Sequence, residues 1–125
     1  MASPDDAGTA GHLFVALRAL LAAHPEKLSV VHDSATHYYA NCRTPNARGK
    51  PQFFGAVKVS GKKHAFHFMP VYDFPELLDA LSPALKKQMQ GKSCFNFTQL
   101  EPSLLQELQQ LVEQGARRYA QAGRL

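Results

Sequence analysis

Residues Phe53–Val59 and Lys62–Met69 alternate in character and are separated by Ser60-Gly61. That is the pattern of two antiparallel strands joined by a tight two-residue turn, with glycine, which tolerates positive φ, in the second position. Strict alternation then sorts the side chains. On the second strand His64, Phe66 and Phe68 share one face, and Lys63, Ala65, His67 and Met69 the other. On the first strand Phe53, Gly55, Val57 and Val59 oppose Phe54, Ala56 and Lys58. Rings beside cations on a sheet suggest a platform on which single-stranded nucleic acid stacks its bases; with eight Phe and no Trp in the chain, these phenylalanines are expected instead to fill much of the core.

Around this hairpin the chain reads as α-β-β-β-β-α-α-β-α. Leu13, Leu17, Leu20 and Leu21 recur at helical spacing and Pro25 follows, giving a helix over about 11–24. Leu28–His32 and Thr36–Asn41 are rich in Val, Tyr and Thr and flank the turn Asp33-Ser34-Ala35. The loop Arg43–Gln52 holds Pro45, Asn46, Gly49 and Pro51. Asp73-Phe-Pro-Glu76 resembles a helix N-cap with a reciprocal acid, stapled by Tyr72 and Leu77. Ser82-Pro83 repeats the start signal for a short helix ending near Gly91. Cys94–Phe97 reads as a strand, with Phe95 and Phe97 inward and Cys94 and Asn96 on the other face. Pro102 opens a long C-terminal helix with Leu104, Leu105, Leu108, Leu111, Val112 and Tyr119 on one face, weakened or divided at Gly115. The expected class is α+β: a central antiparallel sheet of about five strands, with an N-terminal helix, two short helices and a long C-terminal helix packed on it.

A length of 125 residues suits one domain. The expected division is a disordered tail over 1–10, small and acidic, and a single domain over 11–125. The first ten residues lack the positive start of a secretory signal. The apolar run Leu13–Ala23 contains Arg18 and falls well short of the ~20 residues a membrane helix needs. Cys42 and Cys94 show no C-x-x-C spacing and are expected to be reduced thiols. The location expected from these features is cytoplasmic, with no membrane partner.

The formal charge is +4, and its distribution says more than its size. Segment 43–63 carries Arg43, Arg48, Lys50, Lys58, Lys62 and Lys63 and no acid, while residues 64–92 and 93–125 are each balanced. The basic excess lies on the loop entering the hairpin and at its turn.

The chemical motifs dissolve on inspection. Gln90-Gly-Lys-Ser93 ends like a phosphate-binding loop, but position 86 is Lys and the residues that follow read as a strand. Gly91 is expected instead as a helix C-cap, with Lys92 near the helix's negative end. His32-Asp33-Ser34 has the letters of a hydrolase triad without convergence from separated positions. His64 and His67 point to opposite faces; His32 and His37 would face each other across the first hairpin, yet two imidazoles leave a metal site short. Lys92 beside Cys94 raises the question of an activated thiol, against the commoner buried, inert one. Asn96-Phe-Thr98 is a glycosylation sequon without consequence in a cytoplasmic strand. No cofactor is implied.

Three stretches carry a family resemblance: Phe53-Phe-Gly-Ala-Val; His67-Phe-Met-Pro-Val-Tyr72; and Leu81-Ser-Pro-Ala-Leu-Lys-Lys-Gln-Met-Gln-Gly-Lys-Ser-Cys-Phe-Asn-Phe97. Over about Leu28–Gly115 the chain resembles the YdhG-like family of small bacterial domains of unknown function, some of whose relatives are described as frataxin-like iron chaperones. The resemblance implies a compact α+β fold around an antiparallel sheet and little about chemistry. Frataxin-like iron binding rests on an acidic surface, whereas the one local acid cluster here is Asp73, Glu76 and Asp79.

The leading expectation is a non-catalytic binding or accessory domain of this type. It would take a small ligand or a protein partner in a cavity between sheet and helices, lined by Tyr38, His67, Met69, Lys92 and Cys94. The second is low-affinity nucleic-acid or polyanion binding through Arg43, Arg48, Lys50, Lys62 and Lys63. The third is frataxin-like metal handling, for which only His32 and His37 offer themselves.

Overall fold

A computed structural model describes residues 5–23, 25–99 and 101–125, with side chains from residue 12 onward. The elements are α1 (Asp5–Leu21), β1 (Leu28–Asp33), β2 (His37–Cys42), β3 (Phe53–Ser60), β4 (Lys63–Phe68), α2 (Pro70–Asp73), α3 (Pro83–Lys86), β5 (Met89–Gln90), β6 (Cys94–Phe97) and α4 (Pro102–Gln121). Short 3-10 helices cover Pro25–Lys27 and Pro75–Ala80. The strands form one six-stranded antiparallel sheet in the order β1-β2-β3-β4-β6-β5. The α+β class is as expected, with one strand more than anticipated. The extra strand is Met89–Gln90, in the stretch expected as helix. Helix α3 stops at Lys86, and Gly91, at φ +80°, turns the chain into β6 instead of capping a helix. Helix α1 starts at Asp5, inside the stretch expected to be disordered; its expected end at His24 lies outside the described residues.

The central hairpin forms with its turn moved by one residue. Ser60 pairs with Lys63, so the two loop residues are Gly61-Lys62, with Gly61 at φ +63° in the first position. A glycine-first two-residue loop matches the twist of the flanking strands as well as the expected arrangement would.

One face of the sheet is covered. Helix α1 packs on β3 and β4 and against α4, with Leu21 seated over Gly55. The core beneath joins Tyr38, Ala40 and Cys42 of β2, Phe54 and Val57 of β3, Phe66 and Phe68 of β4, and Phe95 and Phe97 of β6 with leucines of both helices. Gly115 does not divide α4; it lets the helix approach the sheet. A Cβ there would stand 2.5 Å from the Phe68 ring.

Polar ties fix the layers. Arg18 of α1 donates two hydrogen bonds to Asp33, 2.9 and 2.7 Å long, and lies over the Tyr38 ring at 4.9 Å. Ser82 caps α3, accepting from the Leu85 N–H at 3.2 Å, and donates to Glu107 of α4 at 2.7 Å. Asp73 and Glu76 do not form the expected capping pair: the 3-10 helix at Pro75 has no side-chain cap. Asp73 instead accepts from Tyr119 and from Arg124 at 2.7 Å, and Glu76 accepts from Arg118. Tertiary partners on α4 and the C-terminal residues after it outcompete the local cap.

Candidate functional site

The other face of the sheet is open among the described residues. Its strand positions are half-buried or exposed apart from Ala56. Two β-bulges decide what this face displays. One falls at Val31 in β1, where the register steps from Val30↔Ala40 to His32↔Tyr39. The other falls in β3, where Ala40 pairs with Gly55 but Asn41 pairs with Phe53, leaving Phe54 as the extra residue. A bulge inserts one residue and so reverses the facing of everything beyond it. Alternation placed Phe53 with Gly55 and Val57 on one face and Phe54 on the other, and this is where the expectation fails. Phe54 turns into the core, its ring 5.5 Å from Phe68 and 6.2 Å from Tyr119, while Phe53 turns out to the open face.

The result is a band of rings across four strands. His32 pairs in register with Tyr39, Tyr39 with Ala56, Ala56 with His67, and His67 with Cys94. His37 stacks on His32 with centroids 4.9 Å apart. Both imidazoles stand edge-on to Tyr39, which lies 4.8 Å from Phe53; Phe53 is 6.5 Å from His67. Ala56, between Tyr39 and His67, keeps the middle low. A hollow of about 540 Å³ opens on the β1–β2 side of this band, lined by His32, His37, Tyr39, Asn41, Phe53 and Lys58 together with Val31 and Pro51; His67 lies outside it.

The charge on this face has one sign. Lys58 and Lys63 stand on it, and none of its strand positions is Asp or Glu. Asp33, the acid at the end of β1, pairs with Tyr38 and is held by Arg18 on the helix side. The His37 pKa is lowered by desolvation and by the nearby His32 and Lys58. That of His67 is lowered by desolvation alone. Both rings are therefore neutral at pH 7 and present flat, uncharged surfaces beside the lysines.

The expected basic set does not form one patch. Arg43, Arg48 and Lys50 lie in the loop at the Phe53 end of β3, and Lys62 and Lys63 at the turn end, a strand of ~26 Å apart. The loop is built rather than slack. The Asn46 side chain accepts from the Arg48 and Lys50 N–H groups, both at 2.9 Å, and Gln52 donates to the Thr44 carbonyl at 3.0 Å.

The five residues expected to line a cavity between sheet and helices do not converge either. That space is filled by side chains. Tyr38 is 2% exposed on the helix side. His67 and Cys94 are neighbours on the opposite, open face. Met69 falls past the end of β4, where the chain turns helical, and packs against the core. Lys92 sits in the β5–β6 turn and borders a separate hollow of about 570 Å³ with Val71, Tyr72, Pro75, Leu78, Met89 and Gly91. Of the five, chosen as polar groups set among apolar ones, only His67 and Cys94 are brought together.

Both thiols are free and lie on opposite faces of the sheet. Burial pushes the Cys42 pKa up to about 11, and desolvation also raises that of Cys94, in the direction of the inert thiol rather than of one activated by Lys92. His32 and His37 do meet, but among the described residues no three His, Cys, Asp or Glu side chains group as a metal site. No described helix is long and apolar enough to cross a membrane.

Sequence reasoning missed Tyr39 and Phe53 as site residues. The only signal was the doublet Phe53-Phe54, in which a bulge can choose either ring to face out. No family model, curated protein or solved structure matches the chain.

Proposed function

We propose that the chain is a non-catalytic binding domain of the YdhG-like type whose ligand, a small molecule or a segment of a protein partner, lies on the open face of the sheet. The observation that carries this is the band His32–His37–Tyr39–Phe53–His67, five rings on an uncovered face, four of which line a hollow of about 540 Å³. Half-buried and exposed rings in contiguous array on an uncovered face, rimmed by polar groups, mark surfaces that bind. A binding role is favoured over a catalytic one because the thiol on the face, Cys94, has its pKa raised by desolvation. Two free thiols on opposite faces of the sheet fit a reducing, cytoplasmic setting.

The frataxin-like alternative has less behind it. Two members of the one acid cluster, Asp73 and Glu76, are already taken by arginines of α4 and the C-terminus. Polyanion binding through the 43–63 segment is best regarded as part of the same surface, since its two basic ends flank the rings.

The test is ligand-observed saturation-transfer NMR with ring-bearing probes (adenosine, uridine, indole, phenol) against the wild type and Phe53→Ala. Signal that appears with the wild type and is lost in the variant supports the open face as the site. No signal with any probe, or equal signal in both proteins, removes it.

A further inference from the structure

We infer that the open face binds single-stranded nucleic acid, with bases stacked on Tyr39, Phe53 and His67 and the backbone carried by Lys58 and Lys63 on the face and by the Arg43–Lys50 loop at its margin. This rests on the reading of that face as the binding surface and names what it takes.

Three features select this occupant. The first is shape. Tyr39 and Phe53 pack on each other at 4.8 Å and His67 stands edge-on to Phe53 at 6.5 Å, so the outward sides of these rings are what a base can stack on, and a sheet with two or three outward rings holds two or three bases. A protein segment would more often ask for an apolar groove with side-chain pockets, and this face is half polar: Asn41, Asn96 and Gln90 stand on it with the rings, Asn96 donating to Gln90.

The second is charge. Lys58 and Lys63 are exposed on the face, no acid stands among its strand positions, and the chain's entire basic excess is in the segment that frames it. Arg43, Arg48 and Lys50 lie at one end of β3 and Lys62 and Lys63 at the other, so a strand running along the hairpin meets cations at both ends with rings between them. As a patch these cations fail to converge; as the two ends of a track they are correctly placed.

The third is preorganisation. The loop carrying Arg48 and Lys50 is closed by the Asn46 side-chain oxygen Oδ1, which accepts from both their N–H groups, and the Tyr39–Phe53 pair is fixed by the register on either side of the bulge. Little order has to be gained on binding. Duplex DNA or RNA has its bases stacked inside and cannot use the rings, so the surface discriminates by strandedness more than by sequence.

The test is fluorescence anisotropy of the whole chain with a labelled 12-nucleotide oligothymidylate and with a 12-base-pair duplex, at 50 and 200 mM NaCl. The single strand is expected to bind more tightly than the duplex. With three or four phosphate contacts its affinity should fall roughly 20- to 50-fold between the two salts. Phe53→Ala and Tyr39→Ala should each weaken it roughly tenfold, and Lys58→Ala/Lys63→Ala should flatten the salt dependence while circular dichroism stays that of the wild type. The Lys58/Lys63 variant leaves the rings intact, so the inference stays testable if a ring variant fails to fold. Equal affinity for single strand and duplex, unmoved by the ring variants, would overturn it in favour of plain polyanion attraction. No binding of the oligonucleotide at 50 mM NaCl also overturns it. If adenosine or uridine then still gives saturation transfer lost in Phe53→Ala, the face remains a binding surface for small rings; if those probes fail too, both readings fall.

Discussion

The rings of Tyr39 and Phe53 lie 4.8 Å apart on the face of the sheet opposite the helices, and they meet because Phe54 is the extra residue of a β-bulge. Without the bulge Phe53 would point to the core and Phe54 to solvent. The pair is thus a direct reading of the register.

The two adjacent phenylalanines should therefore differ sharply on truncation. Phe54→Ala removes a ring 2% exposed and packed on Phe68 and Tyr119, and is expected to cost about 3–5 kcal/mol in urea unfolding. Phe53→Ala removes a half-buried ring and is expected to cost about 1 kcal/mol. The reverse order would mean that the strand runs without the bulge.

Gly115→Ala sets helix propensity against packing. In an open helix the change would gain about 1 kcal/mol. Here the added methyl would lie 2.5 Å from the Phe68 ring and 2.9 Å from Pro70. Overpacking costs about 1–3 kcal/mol, so Tm is expected to fall by a few degrees in calorimetry.

Tyr119 is fully buried and donates its hydroxyl proton to Asp73, which also accepts from Arg124. Its pKa is raised, first by burial and then by the carboxylate. Tyr119→Phe should cost about 0.5–1.5 kcal/mol, because Asp73 keeps its arginine. Asp73→Ala should cost more, about 1–3 kcal/mol, because it leaves a buried hydroxyl without its acceptor. Chemical denaturation of the two variants checks the order.

Stability should fall as pH drops from 7.5 to 5.5. His37 and His67 have pKa values below the ordinary 6.5, so below that pH the unfolded chain takes up protons that the folded chain resists. The carboxylates of Asp33 and Glu76, with pKa values lowered by Arg18 and Arg118, lose their contribution only in more acid solution and do not confound this window. Urea midpoints at the two pH values should differ, and the difference should shrink in His37→Gln/His67→Gln. Over the same range the protonating rings add positive charge to the face, so its affinity for anions should rise while stability falls.

The class of fold could be read from local patterns because those patterns agree with the tertiary structure. The hairpin, the Ser82 cap and the inward pair Phe95 and Phe97, both at most 1% exposed, are such places. The site was less legible for a physical reason. Strand alternation fixes facing only until a bulge intervenes, and Phe-Phe gives no hint of which ring the bulge selects. Likewise Asp73 and Glu76 carry the letters of a cap, but arginines and a tyrosine more than forty residues away claim them. The stretch after Lys86 has helical composition, yet its backbone pairs with β6 once Gly91 turns it. Distance in sequence hides each of these competitions.

The most direct test of the account is a protein-observed 1H–15N chemical-shift map with the 12-nucleotide oligothymidylate at low salt. The account predicts perturbations concentrated at His32, His37, Tyr39, Phe53, Lys58 and His67, with Phe54, Phe68 and Tyr119 unmoved. Perturbations confined to the α4 side, or to the hollow beside Tyr72 and Lys92, would contradict it.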